Sequence, residues 1–347
     1  MKKILLFALL FSCFAASAQS VEEQEAKIAS LEQEVASLKE KGTTWDKIVN
    51  ALPKISGYAQ IRYEYKDGDS GESTFQLRRV RLSLDGKVSE KVDYKLQAEL
   101  TSFKLLDAYF SYKPFKQLNL RAGQFKLPFS IENTDYGPTK LELIDYPMAL
   151  TYLVGYNEHL GDDVLKALGR DLGAKLYGSF LDGVIGYDLG VFNGAGLNVK
   201  DNNKSKDIVA RLTVRPLSGL LISGSYMWGE YGEDFIKRER WGVGVCYDKD
   251  AWLARAEYIG GTTDAQTSDG WYVMGGYRFC KNFMVAARYD TFTWDTDARS
   301  ESSQETYTVG LLWQPIKHLR LQVNYMYENM LFDQERNAFQ LQTAVMF

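Results

Sequence analysis

Histidine is nearly absent: the 347 residues hold two, His159 and His318. General-base and nucleophilic catalysis usually lean on a positioned imidazole. Here neither histidine lies beside a serine and an acid on a regular element. The pattern argues against a barrel enzyme of the lipase or protease type, and no catalytic residue is assigned. It also argues against a transition-metal site, and no cofactor is called for. Cysteine is scarce as well, three in all. Cys246 and Cys280 end strands that lie two apart, about 10 Å at strand spacing and beyond the ~7 Å reach of a bridge. Two free thiols are expected, even in an oxidising envelope. No run of about 18 apolar residues follows the N-terminus, so no mature transmembrane helix is expected. No basic surface run exists to bind nucleic acid.

The N-terminal residues read as an export signal. Lys2 and Lys3 precede the apolar stretch Ile4–Phe11, and Ala16-Ser17-Ala18 is a small-x-small cleavage site, so residues 1–18 are read as a signal peptide. Lipoprotein processing at Cys13 is the alternative, with Leu10-Phe11-Ser12-Cys13 a poor lipobox. Residues 19–41 carry a heptad, Val21, Gln24, Ile28, Leu31, Val35 and Leu38, with Glu and Lys between. That predicts a short periplasmic coiled-coil helix, able to hold oligomer chains together. A lone amphipathic helix or a tether is the other reading. Residues 42–54 form a linker.

From residue 55 to 347 the period is two. Ile55, Gly57, Ala59, Ile61 and Tyr63 share one face; Tyr58, Gln60, Arg62 and Glu64 share the other. The pattern repeats over about sixteen segments, an even number as single-chain bacterial barrels require. Connections alternate between tight turns, as at Lys113–Gln117 and Cys280–Asn282, and longer polar stretches, as at Lys66–Thr74, Asn193–Lys206 and Gly260–Gly270. Aromatics bracket the apolar faces: Trp241 with Tyr247, Trp252 with Tyr258, Trp271 with Phe279, Phe339 with Phe347. Two interfacial girdles need that placement, because amphipathic rings prefer headgroup level. A soluble sandwich would need a second apolar face that these strands lack. The fold class is all-β: a transmembrane antiparallel barrel lying in outer-membrane lipid.

The alternation stops between Lys126 and about Arg170. Pro128, Phe129, Gly137 and Pro138 are followed by Leu141, Leu143, Ile144, Tyr146, Met148, Leu150 and Leu153. So long a connection is functional or disordered, and this one is too apolar for disorder. It is expected to fold into the barrel as a constriction loop, with Lys140, Glu142, Asp145 and Tyr146 on it. The inward faces carry Arg62, Arg79, Arg81, Lys95, Arg121, Lys175, Arg211, Arg255, Arg288 and Arg320. Acids share the lumen, among them Glu64, Asp85, Glu99, Asp107, Asp188, Glu257 and Asp290. Rings of Arg and Lys make anion pathways, so small anions are the expected permeants. Tyr58, Tyr109, Tyr226 and Tyr272 are inward by parity but scattered, which weakens a sugar slide.

Phe75-Gln76-Leu77-Arg78-Arg79-Val80-Arg81-Leu82, then Gly86 and Tyr94-Lys95-Leu96-Gln97, resembles the phosphate-selective porin O and P family. So do Asp107-Ala108-Tyr109, Gly123-Gln124-Phe125-Lys126-Leu127-Pro128-Phe129 and Arg170-Asp171-Leu172-Gly173. Gly190-Val191-Phe192-Asn193-Gly194-Ala195-Gly196 and the Asp201–Asp207 stretch continue the likeness, which covers roughly Ile55 to Phe347. The resemblance implies a sixteen-stranded outer-membrane porin of a Gram-negative bacterium, usually a homotrimer. It implies that the loop after Lys126 narrows the pore and that Arg79, Arg81, Arg121 and Lys126 lie near the anion path. The strand ending at Phe347 looks like the signal read by the barrel assembly machinery. The loop departs from a purely basic lining: Thr139–Tyr146 is acidic and apolar, with Lys140 beside Glu142 and Asp145. The competing functions are a general or oligosaccharide porin and a plugged structural anchor.

Overall fold

The computed structural model describes residues 26–35, 37, 52–68, 71–331 and 334–347. It divides at Pro53 into an N-terminal unit and a barrel unit. In the first, residues 26–35 and 37 are helical, and Ile28, Leu31 and Val35 are exposed. The expected signal peptide, the heptad positions Val21, Gln24 and Leu38, and most of the 42–54 linker lie outside the described residues.

The second unit is a closed antiparallel barrel of sixteen strands. In chain order they begin β1 (Lys54–Lys66), β2 (Glu72–Ser89), β3 (Val92–Glu99), β4 (Lys104–Tyr112) and β5 (Asn119–Lys126). A small separate hairpin, β6 (Glu158–Leu160) and β7 (Asp163–Leu165), lies within the long connection that follows. The wall resumes with β8 (Arg170–Phe180), β9 (Ile185–Phe192), β10 (Asp207–Val214), β11 (Leu220–Tyr231) and β12 (Ile236–Lys249). It ends with β13 (Trp252–Thr263), β14 (Gln266–Cys280), β15 (Phe283–Thr293), β16 (Ser303–Ile316), β17 (Leu319–Met330) and β18 (Gln334–Met346). β1 pairs with β18, and Gly57 and Phe347 exchange both backbone hydrogen bonds across the seam. Closure leaves no sheet edge, which is what a membrane demands of a β-structure.

Alternation sorts the side chains as the sequence predicts. Ile61, Leu77, Val243 and Val309 stand exposed on the outer surface, while Gln60, Arg62, Arg81 and Gln322 are buried inside. Trp241, Trp252, Trp271, Phe279, Phe339 and Phe347 are exposed. Two expectations are corrected. Tyr226 faces outward: it opposes Trp241 in the ladder and donates to Glu239, because β11 places Ser225 and Met227 inside instead. The rims also differ less than expected. Strands run on through Gly260–Gly270, leaving a tight turn between Thr263 and Gln266, because Gly260 and Asp269, and Thr262 and Thr267, still pair there, and the Tyr258 hydroxyl donates to Asp269.

One bulge matters for the lumen. Gln60 pairs with Arg79 but Ile61 pairs with Leu77, so Arg78 is an extra residue in β2. A bulge lets two successive side chains face one way. A second special position is Gly123, at φ +126, where a Cβ would meet the Ala108 carbonyl oxygen at 2.2 Å. Only glycine fits so close a backbone approach.

Much of the connection from Leu127 to Gly169 is buried against the inner wall of the barrel, while Lys140, His159 and the Gly161–Val164 tip are exposed. Phe129, Ile131, Leu141, Leu143, Ile144, Leu150 and Leu153 are each 3% exposed or less. Phe129, Leu150 and Leu153 pack on Val209, Met227, Ile259 and Phe292, from β10, β11, β13 and β15. Ile131 and Leu143 pack on Leu253, Tyr272, Met274 and Met284 of β13 to β15. The apolar run that broke the alternation therefore finds its partner surface on one wall of the lumen.

Candidate functional site

The loop is held by named polar contacts, and these decide which lumen charges stay free. Glu257 of β13 accepts from the backbone of Ile131 (2.6 Å) and Glu132 (3.2 Å) and from Ser130 Oγ (2.9 Å). A carboxylate there satisfies the first amides of the short Ile131–Asp135 helix. Arg255, 2% exposed, reaches Glu132 at 2.9 Å and also pairs with Glu142. Its guanidinium lies 3.6 Å from the Tyr136 ring centroid. Arg320 donates to the carbonyls of Thr139 and Leu141, and Gln322 to those of Leu141 and Glu142 at 3.0 Å. Arg288 donates to the Asp145 carbonyl at 2.8 Å and pairs with Asp290. Arg62 grips the Asp145 carboxylate with both terminal nitrogens, 3.1 and 2.7 Å.

Burial pushes the Asp145 carboxyl up, but Arg62 and a hydrogen bond from Gln340 outweigh it and hold it well below the usual carboxylate range. Burial also pushes Glu142 upward, and there it wins over Arg255. Tyr146 donates to the Tyr136 carbonyl at 2.9 Å and packs on Tyr156, ring centroids 4.9 Å apart. Lys140 is exposed.

The sequence reading put eleven cations on one path. The geometry divides them. Arg62, Arg255, Arg288 and Arg320 are spent on the loop, and Arg211 joins them through Asp135 at 2.5 Å. Arg81 pairs with Glu99 at 2.8 Å, Lys95 with Asp85 at 3.1 Å and Lys175 with Asp188 at 2.6 Å. Arg79, Arg121 and Lys126 have no carboxylate partner among the described residues. Arg79 donates to Gln60 at 3.0 Å, Arg121 to Ser111 at 3.1 Å, and Lys126 to the Asn133 carbonyl at 2.6 Å. Arg79 stands on β2 and Arg121 on β5, whereas Lys126, at the end of β5, itself holds a loop carbonyl; the loop anchors Arg62, Arg211, Arg255, Arg288, Arg320 and Gln340 lie on β1, β10, β13, β15, β17 and β18.

Parity reasoning missed Arg78. The bulge brings it to the same side as Arg79, near Asp145 and Arg62, and it has no ion pair among the described residues. The signal was present: apolar Phe75 and Leu77 are two apart, but the next outward residue is Val80. Also missed was a buried bolt between β6 and the wall. Glu158 accepts from Arg238 at 3.0 and 2.7 Å and from Arg240 at 3.0 Å, and Arg238 also reaches Asp207 at 3.2 Å. Cys246 and Cys280 are free, the first buried and the second exposed.

A family model described as phosphate-selective porin O and P matches residues 55–227 and 220–330. Among curated proteins nothing matches. Solved structures are similar in fold. An anion-selective porin from Comamonas acidovorans is 13% identical with a TM-score of 0.67, covering 85% of this chain and 99% of that one. The trimer form of OmpT, an outer membrane protein of Vibrio cholerae, is 14% identical with a TM-score of 0.61, covering 85% and 100%. The outer membrane channel DcaP of Acinetobacter baumannii is 13% identical with a TM-score of 0.60, covering 85% and 97%.

Proposed function

The chain belongs to the phosphate-selective porin O and P family, and from that premise we propose that it passes small anions passively through a lumen narrowed by the inward loop. Family and fold together make it a Gram-negative outer-membrane channel. The observation that carries the anion reading is the distribution of unpaired charge. Arg78, Arg79 and Arg121 have neither a carboxylate partner nor a hydrogen bond to the loop among the described residues. Arginine stays charged at any working pH, and rows of such cations draw anions. The loop acids that argued against this are answered: Glu142 is paired with Arg255 and Asp145 with Arg62. The printed description of the Comamonas acidovorans porin as anion-selective adds support. Phosphate itself rests on the family description.

The same reading covers the finer expectations. The trimeric neighbour supports a homotrimer, with the N-terminal helix in the periplasm helping to hold it. The Phe347 strand is the segment the barrel assembly machinery would read, and the aromatic girdles would meet lipid headgroups.

Planar-bilayer conductance tests the proposal. A reversal potential favouring chloride under a KCl gradient, with phosphate blocking the current, is expected. A neutral or cation-favouring reversal without block overturns it and leaves a general porin. A barrel that inserts but does not conduct would instead be a plugged anchor.

A further inference from the structure

Arg121 and Lys175 stand directly opposite each other across the β5–β8 ladder. Like charges directly opposite destabilise a sheet. One of the two is compensated, since Lys175 donates to Asp188 at 2.6 Å. Arg121 is not: its one hydrogen bond runs from Nε to Ser111 Oγ, leaving both terminal nitrogens uncommitted. The acids nearby are already engaged, Asp85 by Lys95, Asp93 by Lys113 and Asp107 by Arg170. The surroundings of Arg121 therefore carry one net positive charge with no protein counter-ion.

Those surroundings are also aromatic. The guanidinium carbon lies 4.0 Å from the Tyr109 ring centroid, 5.4 Å from Tyr177 and 5.6 Å from Phe125. Such a guanidinium keeps its planar fork for an in-plane acceptor. The Tyr177 hydroxyl is buried and has no partner, although a phenol oxygen is both donor and acceptor. A buried polar atom left alone is costly and needs an explanation.

We propose that Arg121, Tyr177 and the rings of Tyr109 and Phe125 form a binding subsite for a monocarboxylate that carries an aromatic body. This rests on the anion-channel reading and narrows it. The fork takes the carboxylate bidentately, the Tyr177 hydroxyl donates to one of its oxygens, and the rings cover the apolar part. A single net charge suits a monoanion. A phosphate dianion would leave one charge uncompensated and would not use the rings.

The test is block of the chloride current by benzoate, acetate and inorganic phosphate in bilayers holding the full-length protein. In the wild type benzoate is expected to block at the lowest concentration of the three. Arg121→Gln raises benzoate's half-blocking concentration about tenfold, and Tyr177→Phe raises it about threefold. Arg121→Lys keeps the charge but loses the fork, so benzoate block weakens in that variant as well. Equal block by benzoate and acetate overturns the subsite. So does benzoate block that Tyr177→Phe and Arg121→Lys both leave unchanged in normally conducting channels. A potassium-favouring reversal in the wild type would sink the anion reading alone, since dependence of benzoate block on Arg121 is read separately.

Discussion

Arg62 on the first strand and Asp145 in the inward loop, 83 positions apart, meet through two hydrogen bonds of 3.1 and 2.7 Å. Gln340 on the last strand donates to the same carboxylate at 2.8 Å. One loop side chain thus ties itself to both strands of the barrel seam.

That latch should resist acid. Asp145 titrates below its unfolded value of about 3.9, because Arg62 and Gln340 outweigh its burial. A depressed carboxyl contributes stability that is present above the unfolded pKa and is lost as pH falls through the folded one. Charge at Asp145 should therefore persist from neutral pH down to about 4. Asp145→Asn should enlarge single-channel conductance at neutral pH. Conductance of the wild type rising by the same step between pH 7 and about 5 would show that another group governs the loop.

Arg255 is the costliest anchor to remove. It is buried between Glu132 and Glu142. Arg255→Gln leaves two carboxylates in a covered site, and breaking such a buried pair typically costs about 3–5 kcal/mol. The temperature at which the folded barrel shifts to the unfolded gel band should drop. Adding Glu132→Gln and Glu142→Gln should recover much of the loss. A single variant with unchanged heat stability would contradict the assignment.

Charge changes on β2 and β3 should move selectivity in opposite directions. Arg79→Gln removes a cation without a carboxylate partner among the described residues, so the KCl reversal should shift toward potassium. Glu99→Gln frees Arg81, whose pair with Glu99 is 2.8 Å long, so the reversal should shift toward chloride. Shifts of the same sign in both variants would mean that local pairing does not control the field.

The thiols should differ in reactivity. Cys280 is exposed and Cys246 buried beside Tyr136, whose hydroxyl lies 3.4 Å from the sulfur. A bulky maleimide should label Cys280 in the folded barrel and reach Cys246 only after denaturation. Labelling of Cys246 in the folded state would show that the loop leaves the wall.

Much of this architecture was legible beforehand because it depends on local pattern. Ile61 outward and Arg62 inward follow from period-two alternation alone. Leu141, Leu143 and Ile144 break the alternation and have to find an apolar surface. Where alternation fails to place a side chain, the cause is local too. Tyr226 shares its face with Ile222 and Trp228, both exposed, so the strand turns it outward. Arg78 escapes a parity count because a bulge spends one residue without advancing the pairing.

The sequence by itself determined the strand count, the two faces, the aromatic belts and the existence of an inward apolar loop. Each is carried by neighbours in the chain, where spacing is set by covalent geometry. Only the tertiary structure decided which cations are free. Arg62, Arg255 and Arg320 look the same in sequence as Arg79 and Arg121, yet the first three are consumed by loop groups and the last two are not. Charge pairing acts over a few ångströms in space, and closing the barrel brings together residues that the chain keeps far apart.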